Sequence, residues 1–345
     1  MSDKTLKAVP LPARWTATVD DHVIGLAWSL DGATAAALVI GGGLSVFDRA
    51  TGALHYTRAA HGAGGSAVSW HPTDGLLATS GQDGKVRIWD AVTGGPIATL
   101  DAGGEWVERV QWSADGKLLA AAAGKLVRIW NLDLKVVRDF PAHRATVTDI
   151  QWHPATAMLC STSYGGVSML DPLQEKPVRQ FSWQGSTLVA QWSPDGRYIA
   201  TGDQDSTVHF WMVKTGKDLM MSGYPNKVRE LSWDHSSRYL ATGGGAEVAV
   251  WDCSGKGPSN SKPIILPGHE QRVSAVAYQR RGAMLASGGD DGRVVVWQPS
   301  SKKLLRGAAQ LSDPISQLAW SPDDRDLLVG GATGQVTLLH TPQGG

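Results

Sequence analysis

Along most of the chain apolar and polar positions alternate with a period of two, and Gly, Pro, Asn or Asp interrupts the alternation at short intervals. Residues 76–90, LLATSGQDGKVRIWD, show the pattern: apolar and β-branched residues flank Asp83 and Gly84, a pair suited to a tight hairpin turn with φ > 0. A lone hairpin is marginal in water, so this one needs neighbours. Amphipathic helical periodicity is hard to find anywhere, and the pattern predicts an all-β protein.

The neighbours come as a repeat. An aromatic closes a short apolar strand at Trp28, Trp70, Trp112, Trp152, Trp192, Trp233, Tyr278 and Trp320, at intervals of 42, 42, 40, 40, 41, 45 and 42 residues. Each aromatic opens a turn such as WSADG, WSPDG or WSPDD, a second strand such as LLAT or YIAT follows, then a Gly-rich turn, and then a third strand, VRIW, VHFW, VAVW or VVVW. A fourth, more variable strand completes each unit. Eight units of four strands predict eight blades arranged as a wheel. After Leu339 the chain runs only HTPQGG, with no fourth strand for the last unit, whereas residues 13–23, ARWTATVDDHV, stand where a fourth strand should precede the first unit. The N-terminal strand is therefore expected to complete the last blade and remove its open edge.

In these residues the chain resembles the WD-repeat β-propeller family, whose signature is Gly-His before the first strand and Trp-Asp ending the third, in repeats of about 40–45 residues. The resemblance covers residues 8–340 as a single domain, with short tails at 1–7 and 341–345. It implies an eight-bladed β-propeller of four-stranded antiparallel blades. It also implies a buried hydrogen-bonded chain within a blade, matched by His61, Thr79, Asp83 and Trp89 and again by His269, Ser287, Asp291 and Trp297. A hydroxyl, an imidazole and a carboxylate invite a catalytic-triad reading, but the set ends on an indole N–H that wants an acceptor when buried, and it occurs twice. Its expected task is structural. The fourth unit keeps His143 and Ser161 but has Gly165 and Leu170 at the Asp and Trp positions. The fifth has Thr201, Asp205 and Trp211, with Trp183 in place of His. The first unit (VIGGGLSVFD) and the fourth are expected to depart furthest from regular geometry.

Lys plus Arg and Asp plus Glu each number 32, so no bulk field exists to hold nucleic acid or an anionic membrane. The two cysteines, Cys160 and Cys253, form no CxxC pair and suit a reducing, cytoplasmic setting. The N-terminal residues MSDKTLKAVPLPARW lack the apolar core of a secretory signal. No phosphate-binding Gly-Lys loop, HExxH, GxSxG or clustered Cys/His spacing occurs, so no catalytic residue, metal or cofactor is assigned. Gln111, Gln151 and Gln191 share one first-strand position and are expected to bond between neighbouring blades. Arg87 and Arg128, both in VRIW, are expected to lay their stems along a blade face.

In the family, the loops before the first strand and the turns between strands two and three form the common binding rim. Carried over unit by unit, this implies Trp106 and Glu108, Thr146 and Thr148, Lys227 and Arg229, and Arg272 and Ser274, with Gln82, Tyr164, Gln204 and Asp290 from the turns. Lys227, Arg229 and Arg272 would form a local basic patch, and an aromatic near Arg and acidic groups is a mixture that hot spots favour. The expected function is a non-catalytic scaffold or adaptor, a monomeric propeller that binds one or more proteins or peptides through this rim. The alternatives are an enzyme at the central channel, for which Glu108, Asp149 and Glu230 are the nearest acids, and a weak nucleic-acid binder using the basic patch. The Gly/Ser/Pro-rich stretch at 252–264, with Lys256 and Lys262, is expected to be a mobile loop on the opposite rim.

Overall fold

The computed structural model describes residues 8–104, 106–141, 143–255, 257–258 and 261–342, so Lys256 and the outermost parts of both tails lie outside the described residues. Every regular element within them is a β-strand. The turns form where short polar side chains substitute for ladder bonds. In the turn after Trp28, the Ser29 hydroxyl donates to Asp31 Oδ1 at 2.6 Å, and the same carboxylate oxygen accepts the Ala33 amide at 2.9 Å. Ser113 with Asp115, Ser193 with Asp195, and Ser321 with Asp323 repeat the bond at 2.6–2.8 Å.

Among the described residues the strands assemble in simple antiparallel order into a propeller whose hydrogen-bonded sheets number seven. Six have four strands. The first holds Val23–Trp28, Thr34–Val39, Gly43–Asp48 and Leu54–Ala59; the others span 65–101, 107–140, 231–267 and 273–310, with the last at 315–340. The seventh is double width, with six strands: Asp149–Trp152, Leu159–Leu170, Arg179–Trp192, Tyr198–Asp203, Val208–Met212 and Asp218–Met221. The expectation of eight separate four-stranded blades is thus corrected to seven blades, counted as hydrogen-bonded sheets. The cause is local. Arg179–Trp192 runs unbroken for 14 residues, pairing through Arg179–Ser186 with the strand before it and through Thr187–Trp192 with the strand after. The fourth unit also lacks the Asp-Gly turn, so Leu159–Leu170 passes continuously through Gly165 and Gly166 at φ 103° and 110°. The double blade bends so that its halves pack on each other across Cys160, Val167, Phe181, Trp192 and Trp211.

The first unit, in contrast, is a regular four-stranded blade and not the irregular one expected. Its GGG turn meets a steric need: a Cβ on Gly42 would sit 1.8 Å from the His61 carbonyl oxygen.

The core lies between neighbouring sheets. Leu38, Leu44 and Val46 of one blade meet Leu77 and Trp89 of the next, and Val86 and Ile88 in turn meet Trp112 and Trp130. Each such fully buried side chain contributes about 1.5–3 kcal/mol. Polar stitches reinforce the packing, and the repeat aromatic supplies one of them. In four units its indole N–H donates to the backbone carbonyl just before the preceding unit's aromatic: Trp152 to Gln111, Trp192 to Gln151, Trp233 to Gln191 and Trp320 to Ala277, at 2.8–3.3 Å. Trp28 does the same to Ala319 at 3.0 Å, across the chain ends. Gln111 also reaches Gln151 at 3.2 Å, the inter-unit amide contact expected from the sequence.

The N-terminal strand closes the ring. Ala13–Thr18 pairs with Gln335–His340, in a register running from Ala13 opposite Leu339 to Thr18 opposite Gln335. Buried Asp326 ties the seam from the side: Arg14 Nε (2.7 Å), Arg49 Nη2 (2.7 Å) and His340 Nδ1 (2.9 Å) converge on its carboxylate.

Candidate interaction rim

Antiparallel strand order places the loops before each first strand and the turns between strands two and three on one rim, and the remaining turns on the other. The first rim is supported by the buried polar chains. His61 Nε2 lies 2.9 Å from Thr79 Oγ1, His61 Nδ1 lies 2.9 Å from Asp83, and the Trp89 indole donates to Thr79 Oγ1 at 3.0 Å. Arg87 adds a bond to Asp83 Oδ2 at 2.6 Å, so its guanidinium joins the chain as well as covering the blade. His269, Ser287, Asp291 and Trp297 repeat the geometry at 2.8–3.2 Å. Burial, against the opposing pull of Asp83 and Asp291, holds both imidazoles below their ordinary pKa. Thr79 is fully buried and already accepts the indole, so nothing here presents a nucleophile to substrate.

One member of this pattern escaped the sequence reading. In the sixth unit the Tyr224 phenol lies 2.9 Å from Thr242 Oγ1 and accepts the Trp251 indole at 2.9 Å, taking the place of His. The signal was available as spacing: 18 residues separate Tyr224 from Thr242, as they separate His61 from Thr79, His143 from Ser161 and His269 from Ser287. Burial pushes the Tyr224 pKa up to about 12. In the fifth unit Trp183 fills the His site by packing at a tilt against His209, ring centroids 4.2 Å apart and planes at 47°, while Trp211 still donates to Thr201.

The rim positions divide by what they touch. Trp106 is 54% exposed. With half-buried Glu108 it lines an open cleft of about 610 Å³, alongside Lys125, Leu126 and Thr146. Tyr164, 53% exposed, lines a second cleft of about 350 Å³ with His143, Arg144 and Gln180. Gln204, Lys227 and Arg229 are exposed, and among the described residues neither of these two cations forms an ion pair. Arg272 donates to Asp290 Oδ2 at 3.2 Å, and its charge also bears on Glu230, so acids stand within the basic patch. Gln82 is half-buried. Thr148 and Ser274 are committed elsewhere: their hydroxyls donate to the Thr187 and Ile315 carbonyls of the following units, as Ser316 does to Val23.

Of the three acids considered for a channel site, Glu108 lies at the rim cleft, and Asp149 and Glu230 are structural in placement. Asp149 is 2% exposed and accepts Arg109 Nε at 3.1 Å and the Ile150 and Ala190 amides at 3.0 Å. Burial raises its pKa against the pull of Arg109. Glu230 is also buried, its pKa raised by the same cause. Among the described residues no group of three or more His, Cys, Asp or Glu side chains is placed to hold a metal ion.

Comparison with known proteins is decisive for the family. The model for the WD domain, G-beta repeat matches residues 53–90, 94–131, 134–169, 176–212, 217–252 and 261–298. The chain belongs to the WD40 family. Propellers of this family generally serve as protein-interaction scaffolds and not as enzymes. Among curated relatives, it is 26% identical over 262 residues to "WD repeat-containing protein srw1" of Schizosaccharomyces pombe, covering 72% of this chain and 46% of that protein. It is 25% identical over 336 residues to "Protein HIR1" of Cryptococcus neoformans var. neoformans serotype D, covering 79% and 37%. The chain therefore spans less than half the length of these relatives. A solved structure of the computationally designed Ika8 protein superposes with a TM-score of 0.81 at 20% identity, covering 94% of this chain and 97% of that one, a likeness of fold alone.

Proposed function

We propose that this protein is a non-catalytic scaffold that binds partner proteins or peptides through the rim formed by the loops before the first strands. The observation that carries the reading is Trp106, a large ring left 54% exposed at a cleft that also holds Glu108 and Lys125. An aromatic beside charges of both signs is suited to anchoring a polypeptide. Tyr164, Gln204, Lys227, Arg229, Arg272 and Asp290 extend the same rim with exposed or half-exposed polar contacts. A monomeric propeller in the reducing cytoplasm fits this role, supported by two free, buried thiols whose pKa values burial raises.

The test is affinity purification from the native cell with the wild-type protein and with the double variant Trp106→Ala, Arg229→Ala, read by quantitative mass spectrometry. The main wild-type partner should fall by about tenfold or more with the variant, the effect of losing a central aromatic anchor. Undiminished recovery would remove this rim as the binding face.

A further inference from the structure

The opposite rim holds a second feature, independent of the first. Between the blades at 23–59 and 65–101 lies a groove of about 330 Å³, lined by Leu30, Trp70 and Val92 and flanked by Asp31, Asp74 and His55. Leu30 is 59% exposed and Val92 78% exposed, each on an ordered tight turn. At the Leu30 position the other units carry Pro72, Ala114, Pro154, Pro194, His235, Arg280 or Pro322; at the Val92 position they carry Ala50, Asp133, Leu173, Lys214, Ser254 or Ser300, and of these only Leu173 is a comparable exposed aliphatic. Two adjacent units have thus placed aliphatic side chains in water beside the same half-buried indole.

The lining holds two carboxylates and, among the described residues, no Lys or Arg; Arg58, at the edge, is turned onto the Thr93 and Gly94 carbonyls. Bonds from the Ser29 hydroxyl and the Ala33 amide hold Asp31 below the usual carboxylate range, so it is ionised at neutral pH. Asp74 has a 59% exposed side chain, and the buried His71 ring beside it, 3.8 Å away, is occupied elsewhere, with Nε2 against the Gly116 carbonyl and Nδ1 accepting the Asp74 amide. We infer that this groove docks a segment of a partner protein in which an aliphatic or aromatic side chain is flanked by Lys or Arg. The apolar side chain would fill the space between Leu30, Trp70 and Val92, and the cation would meet Asp31 and Asp74.

A random peptide library displayed on phage, panned against the whole protein, tests this. Peptides captured through the groove should carry an aliphatic or aromatic residue next to Lys or Arg. They should bind Leu30→Ser, Val92→Ser at least about tenfold more weakly, as loss of two apolar contacts requires. Both substitutions lie at exposed turn positions, so an unchanged melting temperature shows that the variant is folded. Asp74→Asn should weaken the same peptides several-fold and flatten their salt dependence. Trp106→Ala, on the other rim, should leave them bound, which separates this test from that of the scaffold reading. The inference is overturned if no captured peptide depends on Leu30 and Val92, or if those that do carry no basic residue. It is equally overturned if the double Ser variant converts a sedimenting dimer to monomer, which would assign the groove to a second copy of the chain.

Discussion

Replacing Asp326 by Asn should loosen the ring at its seam while barely changing its shape. Asp326 is 1% exposed and is reached by Arg14 Nε at 2.7 Å, Arg49 Nε at 3.0 Å, Arg49 Nη2 at 2.7 Å and His340 Nδ1 at 2.9 Å. The substitution keeps an acceptor but removes the charge. A hydrogen bond to a buried charge is worth about 1.5–3 kcal/mol. The Arg14 side chain is 43% exposed, so its share is discounted for solvent screening, and Arg49 retains Asp323 at 2.8 Å. The net cost is about 2–4 kcal/mol, chiefly from Arg49, which is only 18% exposed. With an unfolding entropy of roughly 2.1 cal/mol/K per residue over this chain, that lowers Tm by about 3–6 °C. The penalty also has a pH signature. Burial acts to raise the Asp326 pKa, but His340, Arg49 and Arg14 together bring it below its ordinary value. A carboxylate lowered in the folded state adds stability above its unfolded pKa, near 3.9, and loses it as pH falls through the lower folded value. Thermal melts followed by circular dichroism should therefore show the full gap at pH 7 and a shrinking gap below pH ~4. A gap under about 1 °C at pH 7, or one unchanged in acid, would refute the reasoning.

Further outcomes are expected. Tyr224→Phe leaves the Trp251 indole and Thr242 without their phenol and should cost about 1–3 kcal/mol in urea unfolding, with Tyr224→His recovering part of it; an unshifted midpoint would deny the substitution of phenol for imidazole. His61, His143 and His269 have pKa values lowered mainly by burial, so they are neutral in both states above pH 6.5, and below it the unfolded chain takes up protons that the fold resists. Stability should fall from pH 6.5 towards 5, with a shallower fall in His61→Gln, as read from urea midpoints; a flat profile would contradict this. Deleting residues 1–20 removes the Ala13–Thr18 strand and exposes the Gln335–His340 edge, so light scattering should find oligomers or aggregate, and a stable monomer would count against ring closure by this strand.

What could be read from the sequence was whatever repeats locally. The aromatic period, the Ser-Asp turns and the place of the N-terminal strand each depend on residues close in sequence or on the absence of a strand from its slot. The merging of two units into one sheet was not legible, because it depends on backbone continuity through Arg179–Trp192 and on Gly165 and Gly166, where composition alone reads as a turn. The indole stitches were hidden for another reason: they join residues 41–43 apart, or 291 apart for Trp28 and Ala319, and no local pattern marks the acceptor, a backbone carbonyl. At the rim, the family positions located exposed Trp106 and Tyr164. They could not distinguish Thr148 and Ser274, whose hydroxyls serve the next unit, from side chains free to meet a partner.

The indole stitches also give the wheel a sense of rotation. Each such bond runs from one repeat back to its predecessor, at Trp28, Trp152, Trp192, Trp233 and Trp320, whereas the Thr148, Ser274 and Ser316 hydroxyls reach forward to the unit ahead. At Trp152 and Trp320, loss of the indole therefore frees a unit from the neighbour behind it without releasing the hydroxyl that holds the neighbour ahead.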